Sequence, residues 1–448
     1  MKKTFTVFMI LTVLTAFTVS VFTVINPADK SYGYNNQKDR GKTANILPLS
    51  ILIKNALKNP NITSSILKTE GLKEKIAIAK ALPEPLAGIG LTDANGFNNP
   101  GIGANSMSDI GFSISQKIPF PSKLGTKSQI NRYSYMSSKA RTKVLKIDTA
   151  YLVKETYYNL ALVERQTATV KYDRLLLNLI MKDISQKYGT GTASAPAYIR
   201  TMLEDAGLKS ELFSLNKAKD KLIYLLSELT GFDPSYIKSR RAVLPKIKEG
   251  KRKQVKGALP SNLLSKKEDV KTAYKYNPEL KSLKYLVKKS DYETAYAKES
   301  YLPDFYLKAG YGDRYSMAPV LSGFVGLSLP VYFNSYQKPL INKAEKDKLS
   351  SIYALGWEKL QIIKNIGVYL KALRLNENNY RLYESLYVPE TKLLFKAEIS
   401  SFGTGRSSAF SLIDSFRKLI DSEFKRDIYN AKYYMDKSRL ERVMGKIR

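Results

Sequence analysis

Tyr188-Gly189-Thr190-Gly191 and Phe402-Gly403-Thr404-Gly405 are one phrase written twice, and the repetition decides the fold. Outward from each copy the same markers recur in the same order. Asn59-Pro60 returns as Asn277-Pro278, Leu82-Pro83-Glu84 as Leu302-Pro303-Asp304, and Leu229-Thr230-Gly231 as Val443-Met444-Gly445. The offsets run from about 214 to about 220 residues, so the chain reads as two homologous units with small insertions. The expected boundaries are a first repeat over residues 47–231, an inter-repeat linker over 232–262 and a second repeat over 263–448. A duplicated body without a catalytic signature reads as architecture.

Each repeat has the order helix, two strands, long helix, tight turn, return helix. The first-helix patterns cover residues 49–80 and 266–301. Strands are expected at about 86–92, 109–116, 305–315 and 320–329. Residues 126–187 run without a glycine, and Val144, Ile147, Tyr151 and Leu152 share one helix face. The matching pattern in repeat two covers 336–400 and holds Pro389, where a kink is expected. About 65 residues at 1.5 Å each make roughly 100 Å, a length suited to a coiled coil or a helical barrel and not to a globular core. Gly189, Gly191, Gly403 and Gly405 are expected to supply the positive φ where antiparallel helices reverse.

The strands alternate. Ile110, Phe112 and Ile114 oppose Gly111, Ser113 and Ser115; Phe305, Leu307, Ala309 and Tyr311 oppose Tyr306, Lys308, Gly310 and Gly312. Leu321, Val325, Leu327 and Leu329 share a face opposite Ser322, Phe324, Gly326 and Ser328. An apolar face backed by small or polar residues suits a lipid-facing barrel wall around a wet lumen. A half-buried sheet in a soluble protein alternates in the same way. Four strands cannot close a pore, and open edges are excluded from lipid, so the membrane reading demands oligomerisation. Three copies would supply twelve strands.

Composition removes whole classes of chemistry. The chain has no histidine and no cysteine, so disulfides, thiolate catalysis, the usual zinc sites and His-based triads are excluded. No Gly-x-Ser-x-Gly, phosphate-binding glycine loop or Asp-rich metal cluster is present. An enzyme is therefore not expected, nor a cofactor or a metal. The formal net charge of +33 raises nucleic-acid binding, but no zinc, RNP or helix-turn-helix pattern supports it. Most lysines are scattered along helical patterns. One cluster stands apart: Lys238, Arg240, Arg241, Lys246, Lys248, Lys251, Arg252, Lys253 and Lys256 fall between the repeats. It reads as a solvated linker, with lipid phosphate or peptidoglycan as the other contacts it could make.

Lys2 and Lys3 precede an uncharged apolar run from Thr4 to Val24, and a polar, Asn-rich stretch follows. This is the layout of an export signal, taken as residues 1–25, with a polar segment over 26–46. No obvious cleavage site is present, so cleaved signal and retained anchor both stay open. No other apolar run reaches about 18 residues, so any second crossing must use strands.

As a whole the pattern resembles the TolC family of outer membrane efflux proteins. The resemblance rests on Ala56 to Pro60, the Leu-Pro-Glu/Asp helix exits, Gln116 to Pro121, Gly326 to Pro330 and the paired Tyr/Phe-x-x-Gly turns. Pro121-Ser122-Lys123-Leu124 and the position of Pro389 look most like members paired with heavy-metal and cation resistance pumps. The resemblance implies a mainly α fold with a small transmembrane β part. It implies a homotrimer whose twelve-stranded barrel sits in outer membrane lipid on a long periplasmic α-helical barrel. Such a channel is a passive conduit, opened by a periplasmic adaptor and energised by an inner membrane pump.

The resemblance also assigns residues. Adaptor contacts fall at the helical tips: Tyr188, Gly189, Gly191, Phe402, Gly403, Gly405 and Arg406. In some members acidic side chains ring the periplasmic constriction, and by spacing from the turn glycine these positions are Ser411 and Asp414. Asp414 matches and Ser411 does not, which halves the charge of the expected pore gate. From the residues alone, Asp414 reads equally as a surface aspartate near Arg417 at helical spacing. A competing reading is an anchored periplasmic coiled-coil scaffold or adaptor; the duplicated alternating strands discriminate against it.

Overall fold

The computed structural model describes residues 46–92, 108–191, 193–247, 263–314 and 317–446. The expected signal, nearly all of the polar segment and the Asn-rich loop after residue 92 lie outside the described residues, as do Lys248, Lys251, Arg252, Lys253 and Lys256. Repeat one contributes α1 (Leu49–Ala56), α2 (Pro60–Ile78), β1 (Leu86–Thr92), β2 (Asp109–Ile118), α3 (Pro121–Gly189) and α4 (Ala195–Thr230). A short α5 (Pro234–Lys238) follows. Repeat two contributes α6 (Leu263–Tyr276), α7 (Pro278–Lys298), β3 (Phe305–Arg314), β4 (Val320–Leu327), α8 (Lys338–Leu382), α9 (Val388–Gly403) and α10 (Ala409–Val443).

Two first-helix expectations need correction. Residues 49–80 and 266–301 are each two helices, broken at the Asn-Pro marker. Asn59 and Asn277 cap the second helix, their side chains accepting from Asn61 and from Glu279 and Leu280, while the proline takes the first turn, where no N–H is needed. The caps also reach across the fold. The Asn59 amide donates to the Glu228 and Leu229 carbonyls, and the Asn277 amide donates to Val443. The return helices end just there, with Gly231 at φ 70° and Gly445 at φ 73°. The two recurring markers of each repeat therefore hold one another.

The 69 residues of α3 form one continuous helix, roughly 100 Å long. Its counterpart is interrupted. A π-helical turn at Tyr383–Tyr387 joins α8 to α9 and precedes Pro389, and a second one at Phe333–Gln337 precedes Pro339. Proline clashes with the carbonyl four residues back, here Ser385 and Ser335, and the wider turn relieves that clash.

The strands form one antiparallel sheet in the order β1-β2-β3-β4. Register confirms the alternation: Ile89, Phe112, Tyr311 and Leu321 pair across the sheet and share a face, as do Gly88, Ser113, Gly310 and Ser322 on the other. The apolar face is bare; Ile89 and Leu321, on the two outer strands, are 83% and 84% exposed. No helix among the described residues is long and apolar enough to cross a membrane.

Apolar packing is distributed along the helices in three clusters. One gathers Leu52, Val153, Leu160, Leu226 and Met435, a second Val170, Leu208, Phe395 and Phe416, a third Leu280, Ile362, Ile366 and Leu440. Elsewhere small polar residues join the helices, as where Ser137 meets Ser282 at 2.9 Å and Thr391 meets Ser422 at 2.8 Å.

In the first part of the basic linker Lys238 and Arg241 are exposed, but the segment is anchored at its apolar residues. Ile237, Ala242 and Leu244 are buried in the first cluster. The Tyr157 hydroxyl on α3 donates to the Leu47 carbonyl and accepts from the Val243 N–H, both at 3.1 Å, and Leu47 donates to Arg241. Apolar residues alternating with the cations pin this backbone to the long helix.

Asp304 ties the sheet to the helices. Its carboxylate accepts from Lys123 at 2.7 Å, from the Phe120 N–H at 3.2 Å and from Lys117 at 3.0 Å. Its backbone exchanges two 2.8 Å bonds with Ser328 just past β4. Asp304→Ala leaves two lysines and an N–H without their acceptor. It should cost about 2 kcal/mol and lower the melting temperature of the detergent-extracted protein, whereas Glu84→Ala, at the exposed counterpart position in repeat one, should change it little.

Candidate gate and docking tips

The two predicted turns are near copies. At the first, Gly191 (φ 76°) donates to the Tyr188 carbonyl at 3.0 Å; at the second, Gly405 (φ 74°) donates to Phe402 at 3.2 Å. Gly189 and Gly403 do not share this role. They end α3 and α9 within the helix, and only the second glycine of each phrase takes the left-handed conformation. Ser408 caps α10 by accepting from the Ser411 N–H, so Ser411 is engaged in starting the return helix. Arg406, with an exposed side chain, donates its backbone N–H to Ser401 at 2.9 Å.

The structure brings the tips of the two hairpins together. Lys187 donates to the Phe402 carbonyl at 3.2 Å, and its ammonium lies 4.0 Å from the Phe402 ring centre. Tyr188 stacks instead on Tyr198 of its own hairpin, with ring centres 5.9 Å apart. Further along, the Arg200 guanidinium sits 4.3 Å from the Phe410 ring centre. Arg417 on α10 pairs with Glu204 on α4. Sequence reasoning missed Lys187, Arg200, Glu204 and Phe410, because contacts between residues some 210 positions apart follow no local period.

Asp414 is half-exposed on α10 and pairs with Lys418 at 2.8 Å, one turn on. Arg417 was the expected neighbour at helical spacing; it turns to Glu204 instead. An ammonium therefore sits beside the carboxylate that the family resemblance assigns to the constriction.

A second acidic group lies deeper. Asp173 on α3 is 1% exposed, and its Oδ2 has no hydrogen-bond partner. Burial above all, with the nearby Glu423 of α10 adding to it and Lys392 of α9 partly opposing both, raises its pKa to about 7. Glu423 is itself paired with Lys392 at 3.1 Å, so the ammonium is already engaged. Among the described residues no group of three or more acidic side chains could hold a metal ion.

No protein-family model matches the chain, and no curated protein matches it either. Solved structures do. The chain superposes on CusC, from work on folding and transmembrane channel formation, with TM-score 0.71 and 13% identity over 92% of this chain and 95% of that one. VceC, an outer membrane protein of Vibrio cholerae, gives TM-score 0.73 and 12% identity over 89% and 96%. The Campylobacter jejuni CmeC outer membrane channel gives 0.72 and 13% over 89% and 85%. A duplicated helical body carrying four strands is thus the fold of known membrane channels. The chain has the TolC-like outer membrane channel fold, as the sequence resemblance implied.

Asp173 makes stability depend on pH in the direction opposite to an ordinary salt-bridged carboxylate. Its folded pKa lies above its unfolded value, so ionisation opposes folding; the penalty is full above about pH 7 and fades as pH falls towards about 4. Asp173→Asn should raise the melting temperature at pH 8, by the equivalent of about 2 to 4 kcal/mol, and leave it nearly unchanged at pH 4. Equal shifts at both pH values would show that Asp173 is not titrating in this range.

Proposed function

We propose that this protein is the outer membrane channel of a tripartite export system. It would act as a homotrimer in which three four-stranded sheets close one twelve-stranded barrel in outer membrane lipid. The paired helices would continue it as a periplasmic tube. A periplasmic adaptor would dock at the tips around Tyr188, Gly191, Phe402, Gly405 and Arg406, and an inner membrane pump would supply the energy. The observation that carries this reading is the sheet: it bares an apolar face, sets mostly small and polar residues on the other, and leaves one edge of each outer strand unpaired among the described residues. A periplasmic scaffold has no use for such a sheet. The likeness to CusC, VceC and CmeC supports the same reading.

The gate we assign is mechanical more than electrostatic. Asp414 from three chains would ring the constriction, but Lys418 beside each copy reduces its field, and Ser411 adds none. The pairs Lys187–Phe402, Arg200–Phe410 and Arg417–Glu204 hold α9 and α10 against α3 and α4. Opening requires the second hairpin to leave the first, so an adaptor that binds the separated tips more tightly would favour the open state.

Planar-bilayer recording tests this. The wild-type protein should show rare discrete openings. Arg417→Ala removes a half-exposed ion pair worth roughly 0.5 kcal/mol in each of three chains, which should raise open probability about tenfold. A folded trimer with no openings in either form, or with equal open probability in both, would count against this gate.

A further inference from the structure

The basic segment between the repeats makes a groove that the channel reading does not use. It has a volume of about 750 Å³ and is lined by Arg165, Lys171, Lys219, Lys238, Arg240 and Arg241, with Glu164 the one carboxylate among them. Six cations to one anion far exceeds the chain's own 73 to 40, so the concentration is local and does not simply reflect a basic protein. Glu164 is fully engaged: one oxygen takes Lys219 at 2.9 Å and the other the Ala242 N–H at 2.9 Å. Arg165 is held by Asp427, and Arg240 lies 3.6 Å from the Tyr236 ring centre. Lys171, Lys238 and Arg241 have exposed side chains and no ion-pair partner among the described residues. The cations are set on a fixed frame, because Ile237, Ala242 and Leu244 are buried under the segment and Leu47 bonds to Arg241.

Position along the helix narrows the ligand. Arg165 lies about 44 residues after Pro121, the start of α3, so the groove is roughly 66 Å of helix away from the sheet. Lipid phosphates beside the strands cannot reach it. A second copy of this chain, at +33, is a poor counter-charge. The groove is open and broad, which suits a polymer that presents repeated anionic groups more than a small enclosed ligand.

We infer that this groove binds the carboxylate-bearing stem peptides of peptidoglycan and so fixes the channel to the cell wall at mid-height. The inference rests on the periplasmic placement proposed above. Three lysine and arginine side chains without partners, Lys171, Lys238 and Arg241, would make the contacts.

Co-sedimentation of the full detergent-extracted protein with purified peptidoglycan sacculi tests it. The wild type should pellet with sacculi at low salt and be released as salt screens the contacts. The triple variant Lys171→Glu, Lys238→Glu, Arg241→Glu should bind about tenfold more weakly. A control reversing the exposed Lys68, Lys73 and Lys80 should bind as the wild type does. The inference is overturned if the wild type stays in the supernatant, if the triple variant pellets equally, if the control is weakened as much, or if anionic lipid vesicles bind as tightly as sacculi. Mass and conductance of the same preparations separate this result from the channel reading. A conducting trimer that ignores sacculi loses only the wall contact, and a triple variant that melts with the wild type shows that its fold is intact.

Discussion

Unpaired backbone at the rims of the sheet is the constraint on which the rest depends. β1 and β4 each pair on one side only, and both carry apolar side chains on the face that also bears Phe112 and Tyr311. In water such edges invite pairing with another chain, and in lipid each unsatisfied N–H and C=O would cost several kcal/mol. Closure by further copies removes both problems together. Once that closure is granted, the long helices follow: strands that leave a barrel in the same direction deliver parallel bundles of helices beneath it. The Asp304 cluster is where that delivery is held, since it joins the exit of β2, the entry of β3 and the exit of β4.

Much of this was legible in the sequence because it is periodic or repeated. The alternation of Ile110, Phe112 and Ile114 with Gly111, Ser113 and Ser115 gave the faces, and the register kept them. The doubled Gly-x-Gly phrase located both hairpin tips. What was not legible came from contacts without a local period. Asn59 and Asn277 look like interior helix residues until their amides are seen on the end carbonyls of the return helices. The split of each first helix follows from that contact. The basic linker was legible only in part: Lys238 and Arg241 face solvent as their charge suggests, while Ile237, Ala242 and Leu244, spaced among the cations, carry the backbone into the core.

At the tips, type and place were separable. The turn glycines and Asp414 could be located by spacing from the repeat, but their chemistry could not. Lys418 stands against Asp414, and Arg417 crosses to Glu204, so the acidic position sits in a neutralised neighbourhood while the cation beside it ties the two hairpins. Buried Asp173 adds a further acidic group between the same hairpins, facing Glu423 and Lys392. Its lack of a partner could be seen only in three dimensions, since nothing in the sequence distinguishes it from the many solvated aspartates.

The most direct measurement is the mass of the detergent-extracted protein, taken together with its rotational symmetry by electron microscopy. Three chains around a threefold axis, with β1 of one protomer beside β4 of the next, is the expected result. A stable, folded monomer whose sheet edges remain unpaired in detergent would contradict the closure from which everything else here is reasoned.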